Sequence, residues 1–235
     1  MPKPNLRAKR GIDKNAMLDA AFEMFSETGE AAFSVRKLGQ AFGVDPMTVL
    51  HHFGSKEELL RRIADRSLTT VKLPHPTADW EADLRKVARA YRDLARRHPR
   101  ISHLHFRFHA TGPADHASSE VVYRAMRRVG VSDAKAAGLG LAFYAFVLGF
   151  ALAEAEGLLR PITVEDEAEL LALDPADCAA TRALVPAFKN LNPDAAFNCA
   201  INAFIAGIAH QAERPEKLKA AATNSLTNGG RRARV

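Results

Sequence analysis

Five of the nine histidines in this 235-residue chain crowd one stretch, and they are the side chains that most invite chemistry. His105 and His109 stand one helical turn apart with His98, His103 and His116 nearby, a grouping that imidazole ligands of a transition metal would need. No carboxylate or cysteine completes an evident ligand set, and Phe106, Arg107 and Phe108 interleave the pair, so pocket or surface histidines are favoured over a metal centre. Cys178 and Cys199 offer neither a disulfide framework nor a Cys-x-x-Cys zinc site, and suit a reducing cytoplasm. Gly138-x-Gly140 lies inside an apolar helical run with no strand before it, which removes it as a dinucleotide fingerprint. No nucleophile elbow or phosphate-binding glycine loop occurs, so neither catalysis nor a cofactor is expected.

Charge is the second chemical resource. The net charge of +6 is unevenly spread. Residues 1–14 set Lys3, Arg7, Lys9, Arg10 and Lys14 against Asp13, a net +4, and residues 214–235 carry a net +5, which leaves −3 for the body. A basic arm on a mildly acidic body is informative only through what it adjoins. No apolar stretch with a cleavage site follows that arm, so no secretory signal is expected. The Ala-, Asn-, Gly- and Arg-rich segment 215–235 reads as a flexible basic tail.

The elements that must position these residues are helices. Lys14 to Thr28 sets Met17, Ala20, Ala21, Met24 and Phe25 at three- and four-residue spacings, one apolar stripe, with Gly29 as its stop. Ser34 caps a short second helix carrying Val35, Leu38, Ala41 and Phe42, which Gly43 closes. Asp45 caps a third that starts at Pro46, where a missing N–H costs nothing, and turns Val49 and Phe53 inward before Gly54. Ser55 and Glu58 have the capping-box spacing and open a fourth, with Leu59, Leu60, Ile63 and Leu68 inward. Pro74 and Pro76 end this first unit, placed at 1–72.

Beyond it no segment alternates apolar and polar residues over a strand length, so the fold class is all-α. Helices are expected at Asp79–Arg97, Ser118–Val129, Asp133–Leu159, Val164–Leu173, Pro175–Lys189 and Asn192–Arg214, with a short aromatic segment at Ile101–Phe108 and a turn at Gly112-Pro113. Residues 136–153 are uncharged, long enough to raise a membrane span, but nine of these 18 are Ala or Gly and no basic flank orients them. A helix buried on nearly all sides in protein is expected instead.

Helices two and three, spanning about 34–53 and joined by Gly43-Val44-Asp45, have the spacing of a helix-turn-helix. The second helix of such a pair enters the major groove while the first crosses the backbone, and the arm with Arg7, Lys9 and Arg10 lies just ahead.

The same stretch resembles the TetR family of bacterial transcriptional regulators. The resemblance covers residues 14–66, in Phe22-x-x-Phe25-Ser26-Glu27-Thr28-Gly29, in the run Ser34-Val-Arg-Lys-Leu-Gly-Gln-Ala-Phe-Gly-Val-Asp-Pro-Met-Thr48, and in His52-Phe-Gly-Ser-Lys-Glu-Glu-Leu59. It implies a sequence-specific regulator, a repressor released from a double-stranded DNA operator by a small-molecule effector. It also implies a three-helix helix-turn-helix unit followed, at 73–214, by an effector-binding domain that forms a homodimer through the helices at Asp133–Leu159 and Asn192–Ala212. By that resemblance Ser34 and Lys56 fall where family members touch phosphates, as free N–H groups at a helix start would favour. Arg36 joins them, and Pro46, Met47, Thr48, His51 and His52 fall on the exposed side of the recognition helix. Leu50 stands where the family usually has a tyrosine, which removes a phosphate-reaching hydroxyl. Tyr91, His105, Phe108, His109, Met126, Phe143, Tyr144 and Val147 are the candidate effector-pocket lining, on apolar or mixed helix faces. The competing readings are a nonspecific architectural DNA-binding protein without an effector and a histidine-based metal-binding protein.

Overall fold

The computed structural model describes residues 13–213; the candidate arm residues Arg7, Lys9 and Arg10 and the tail 215–235 lie outside that range. Among the described residues all regular elements are helices. The N-terminal ones are α1 (Lys14–Ala32), α2 (Val35–Phe42), α3 (Pro46–Phe53) and α4 (Lys56–Leu68). The body adds α5 (Trp80–Arg97), α6 (Pro99–Ser102), α7 (Leu104–Arg107), α8 (Pro113–Val129), α9 (Asp133–Ala155), α10 (Val164–Ala172), α11 (Ala179–Ala183), α12 (Val185–Lys189) and α13 (Pro193–Glu213).

Local chemistry sets the N-terminal boundaries where the sequence placed them. Ser34 accepts from the Lys37 N–H, Asp45 from Met47 and Ser55 from Glu58, each satisfying a first-turn donor with no partner inside its own helix. Gly29, at φ 69°, interrupts α1 near its end. The Ser55–Glu58 capping box is made on one side only. The Glu58 carboxylate turns to Arg61 and Arg62 at 2.7 and 3.0 Å, and the Arg61 hydrogen bond is the main cause holding its pKa below the ordinary value.

The α1 helix runs past the expected stop at Gly29 to Ala32, and three further boundaries differ from expectation. The helix expected from Ser118 begins at Pro113, because the Asp65 carboxylate accepts the Ala114 and Asp115 N–H groups and so caps an earlier start. The helix expected over Pro175–Lys189 is two short ones. Pro186, near the start of α12, supplies no N–H, and the Leu184 N–H bonds to Thr181 at three-residue spacing. The α9 helix stops at Ala155, short of Leu159, beside Gly157 at φ 83°.

Apolar side chains gather into two cores. Met17, Ala21, Phe25, Leu38, Val49, Phe53, Leu59 and Ile63 pack the first, which also takes Ile101 from α6 and Leu104 from α7. Leu84, Val87, Tyr91, Val122, Met126, Phe143, Val147 and Ile201 pack the second, which α4 reaches through Leu68. The burial expected for α9 is not met among the described residues: only 33% of its apolar stretch is buried. The uncovered side is made mostly of small residues. Ala134, Ala137, Gly138, Ala142 and Ala145 form an exposed strip on α9 with Leu141, and α13 likewise exposes Ala203, Ala206 and Gly207.

Candidate DNA interface and ligand cavity

The turn between α2 and α3 is tight because two glycines permit it. Gly43 adopts the left-handed conformation (φ 66°, ψ 34°) that a side chain disfavours. Gly39 lies so near the following loop that a Cβ would stand 2.8 Å from the Val44 carbonyl oxygen. With α2 held this close, Val49 and Phe53 fix the rotation of α3 against Leu38 and α1. The opposite face then points to solvent. Met47 is 68% exposed, His51 is exposed and Thr48 is half-buried, so these three form the outward edge. Pro46 and Leu50 flank that edge on one side and His52 on the other, all half-buried, with the His52 ring edge-on to His51.

Around this edge stand groups suited to phosphate. Arg36 is exposed on α2, and Lys56 is exposed as the first residue of α4, where free N–H groups and the helix dipole favour an anion. Half-buried Ser34 uses its oxygen to cap α2 and keeps its hydroxyl proton for donation. Arg107 reaches from α7 to Glu30 and Glu57, both at 2.8 Å, and so offsets acidic charge beside Lys56.

A cavity of about 610 Å³ opens between α5, the α7–α8 segment, α8 and α9. Five of the eight expected residues line it: Tyr91, His105, Phe108, His109 and Tyr144. Met126, Phe143 and Val147 do not; each is fully buried in the second core, because their apolar face is met by neighbouring helices rather than by a void. Sequence reasoning missed Asp115, Ser119, Tyr123 and Leu148, which also line it. A usable signal existed in Ser119 and Tyr123, four residues apart on a helix and so on one face.

The cavity's polar groups are organised. The Tyr91 hydroxyl donates to Asp115 at 3.0 Å, whose other oxygen accepts the Thr111 N–H at 2.9 Å. The Ser118 and Tyr144 hydroxyls pair at 3.1 Å. His105 Nε2 donates to Ser67 at 3.1 Å, since the Ser67 proton is engaged by the Ala64 carbonyl. Burial pulls the His105 pKa down to about 4, against a weaker opposing pull from Asp115, so the ring is neutral at neutral pH. The clustered histidines of the sequence therefore part company. His98 packs edge-on to Phe22, His103 is exposed, and among the described residues no three His, Cys, Asp or Glu side chains converge as a metal site.

One helix joins the two sites. Lys56 opens α4 beside the outward face of α3, and three side chains further along it hold the cavity wall. Arg61 donates to the Thr111 carbonyl at 2.7 Å, Asp65 caps α8, and Ser67 holds His105. Gly112 lets this seam close, because a Cβ there would lie 2.6 Å from the Asp65 carboxylate and the carboxylate would have to shift.

A helix-turn-helix with a free outward face, joined by one helix to a cavity-bearing helical body, defines a DNA-binding transcriptional regulator. Two family profiles match in chain order: "Bacterial regulatory proteins, tetR family" over residues 17–63 and "Tetracyclin repressor-like, C-terminal domain" over residues 73–212. The chain belongs to the TetR family. It is 26% identical over 208 residues to the class A tetracycline repressor from transposon 1721 of Escherichia coli, covering 84% of this chain and 91% of that one. Among solved structures it resembles apo ActR of Streptomyces coelicolor, with TM-score 0.77 and 23% identity over 88% of this chain and 99% of that one. ActR bound to actinorhodin has also been solved, and aligns at 0.74 with 22% identity over 86% and 99% of the chains. BioQ with its double-stranded DNA operator aligns at 0.62, with 22% identity over 85% and 99%.

Proposed function

We propose that this protein is a cytoplasmic repressor that binds a near-palindromic double-stranded DNA operator as a homodimer and is released by a small molecule held in the 610 Å³ cavity. The observation that carries this reading is the seam at α4, where Arg61, Asp65 and Ser67 bond to the cavity wall while Lys56 stands at the DNA-reading end. A ligand that displaces the wall therefore bears on the helix that positions α3. Residues 1–72 form the reading unit and 73–214 the effector and dimer unit. Met47, Thr48 and His51 meet base edges, with Pro46, Leu50 and His52 beside them, while Ser34, Arg36 and Lys56 meet phosphates, joined by Arg7, Lys9 and Arg10 of the arm. The exposed strips of α9 and α13 pack against those of a second copy, small residues allowing close approach of the helix axes. The work is done by binding, without a catalytic step. BioQ on its operator and ActR with actinorhodin support the two halves of the reading through a shared fold.

The test is selection of preferred sequences from random DNA, followed by a search for compounds that release the selected site. Half-sites repeated at about one helical turn, or a multiple, are expected. Strong salt sensitivity with no sequence preference would point instead to architectural binding and overturn the proposal.

A further inference from the structure

The cavity's charge is one-sided. Among the described residues Asp115 is its one carboxylate, and no lysine or arginine lines it. Behind the wall Asp65, a second carboxylate, takes the first-turn N–H groups of α8 that would otherwise offset Asp115, and Arg61 is spent on Glu58 and the Thr111 carbonyl, outside the lining. His105 stays neutral, and exposed His109 and His116 are the cavity's other imidazoles.

Around Asp115 stand three aromatic walls. Tyr91 and Tyr144 meet edge to face at 5.2 Å, and Tyr123 lies across α9 at Gly140, where a Cβ would stand 2.3 Å from its ring. Gly140 is thus a seat for Tyr123. Burial first, and Asp115 among the further causes, raises the pKa of all three phenols, that of Tyr144 to about 12, so they remain uncharged. The Asp115 oxygens each accept one hydrogen bond and keep lone pairs for another donor. A carboxylate set among neutral aromatic rings, with apolar Phe106, Leu141 and Leu148 beyond, is complementary to a positive charge on an apolar frame.

We propose that the cavity selects organic cations, amines or quaternary ammonium groups on an aromatic frame, with the charge held by Asp115 between Tyr91, Tyr123 and Tyr144. This rests on the effector reading for its regulatory meaning, but the selectivity itself is a property of the cavity.

The experiment compares two dyes sharing one ring system, cationic rhodamine 6G and anionic fluorescein, by fluorescence anisotropy on the full chain. Lys86→Ala with Arg89→Ala is the background, because Lys72, Lys86, Arg89 and Arg97 line a separate basic groove that would take the anion. Rhodamine 6G is expected to bind at least tenfold more tightly, an advantage that Asp115→Asn reduces by about tenfold or more. Asp115 also holds the Thr111 N–H, so Tyr123→Leu, at a half-buried position, serves as the second variant and should weaken the cation while sparing the fold. Equal or tighter binding of fluorescein, no binding of either dye, or unchanged rhodamine affinity in folded Asp115→Asn and Tyr123→Leu would each overturn the proposal. A cation that binds with this selectivity yet leaves operator affinity unchanged overturns the effector reading and leaves the selectivity standing.

Discussion

Leu50 lies on the flank of α3, between the buried Val49–Phe53 edge and the outward Met47–His51 face, and outside the packed core. On the proposed docking, a hydroxyl on this flank is expected to meet DNA backbone rather than bases. Leu50→Tyr is therefore expected to tighten binding by about 1–2 kcal/mol per subunit on operator and unrelated DNA alike. Competition binding at one fixed salt concentration checks this; a gain confined to the operator, or a loss, would refute it. His105 carries the second residue-scale expectation. Its imidazole is shifted from the ordinary value of 6.5 to about 4, chiefly by burial. As pH falls through that window the unfolded chain takes up a proton that the folded one refuses. Stability complete above pH 6.5 is thus lost toward pH 4, on the order of 3 kcal/mol. His105→Gln should flatten melting curves compared at pH 7.5 and pH 5; an unchanged slope would show another group to be responsible. Which residues matter was legible wherever chemistry is local. Ser34, Asp45 and Ser55 cap as read because a cap needs only its own first turn. Met126, Phe143 and Val147 were misassigned to the pocket because periodicity identifies an apolar face without saying whether a helix or a void meets it.

At the scale of elements, α4 is the member with two duties. Its sequence announced one, the Ser55 cap and the apolar stripe from Leu59 to Leu68. The other was hidden, since Asp65 finds its partners on α8, 49 and 50 residues away, and no local pattern encodes such a pairing. The same distant cap explains why α8 begins at Pro113 rather than Ser118. Asp65→Ala is expected to cost about 1 kcal/mol of stability, as loss of a cap does. Ligand affinity should persist while DNA release by that ligand weakens, because α4 then keeps two of its three ties to the wall, those of Arg61 and Ser67. Titrating ligand against an operator complex measures the coupling, and full release in Asp65→Ala would place the coupling elsewhere.

For the whole molecule the open question of the sequence was what α9 packs against. Its composition suggested burial, and the structure leaves a strip of alanine and glycine on α9 and another on α13 exposed. Nothing among the described residues covers them, and the sequence pattern alone does not distinguish an internal core from a shared one. Two copies are expected per particle at micromolar concentration, with Ala206→Arg shifting the mass to one and abolishing tight operator binding. Light scattering decides; a wild-type monomer would refute the assembly.

Ile101 and Leu104 are fully buried in the reading core although they lie well beyond residue 72 in the chain. That core is consequently not a cassette. A chimaera joined after residue 72 inherits a hole where two side chains belonged, of a kind that costs several kcal/mol when a single large core residue is truncated. One joined after Ala110 carries its own plug together with the Arg107 bridge to Glu30 and Glu57. Recombination among such regulators should accordingly favour exchange points downstream of α7, so that the reader travels with a piece of the body that commands it.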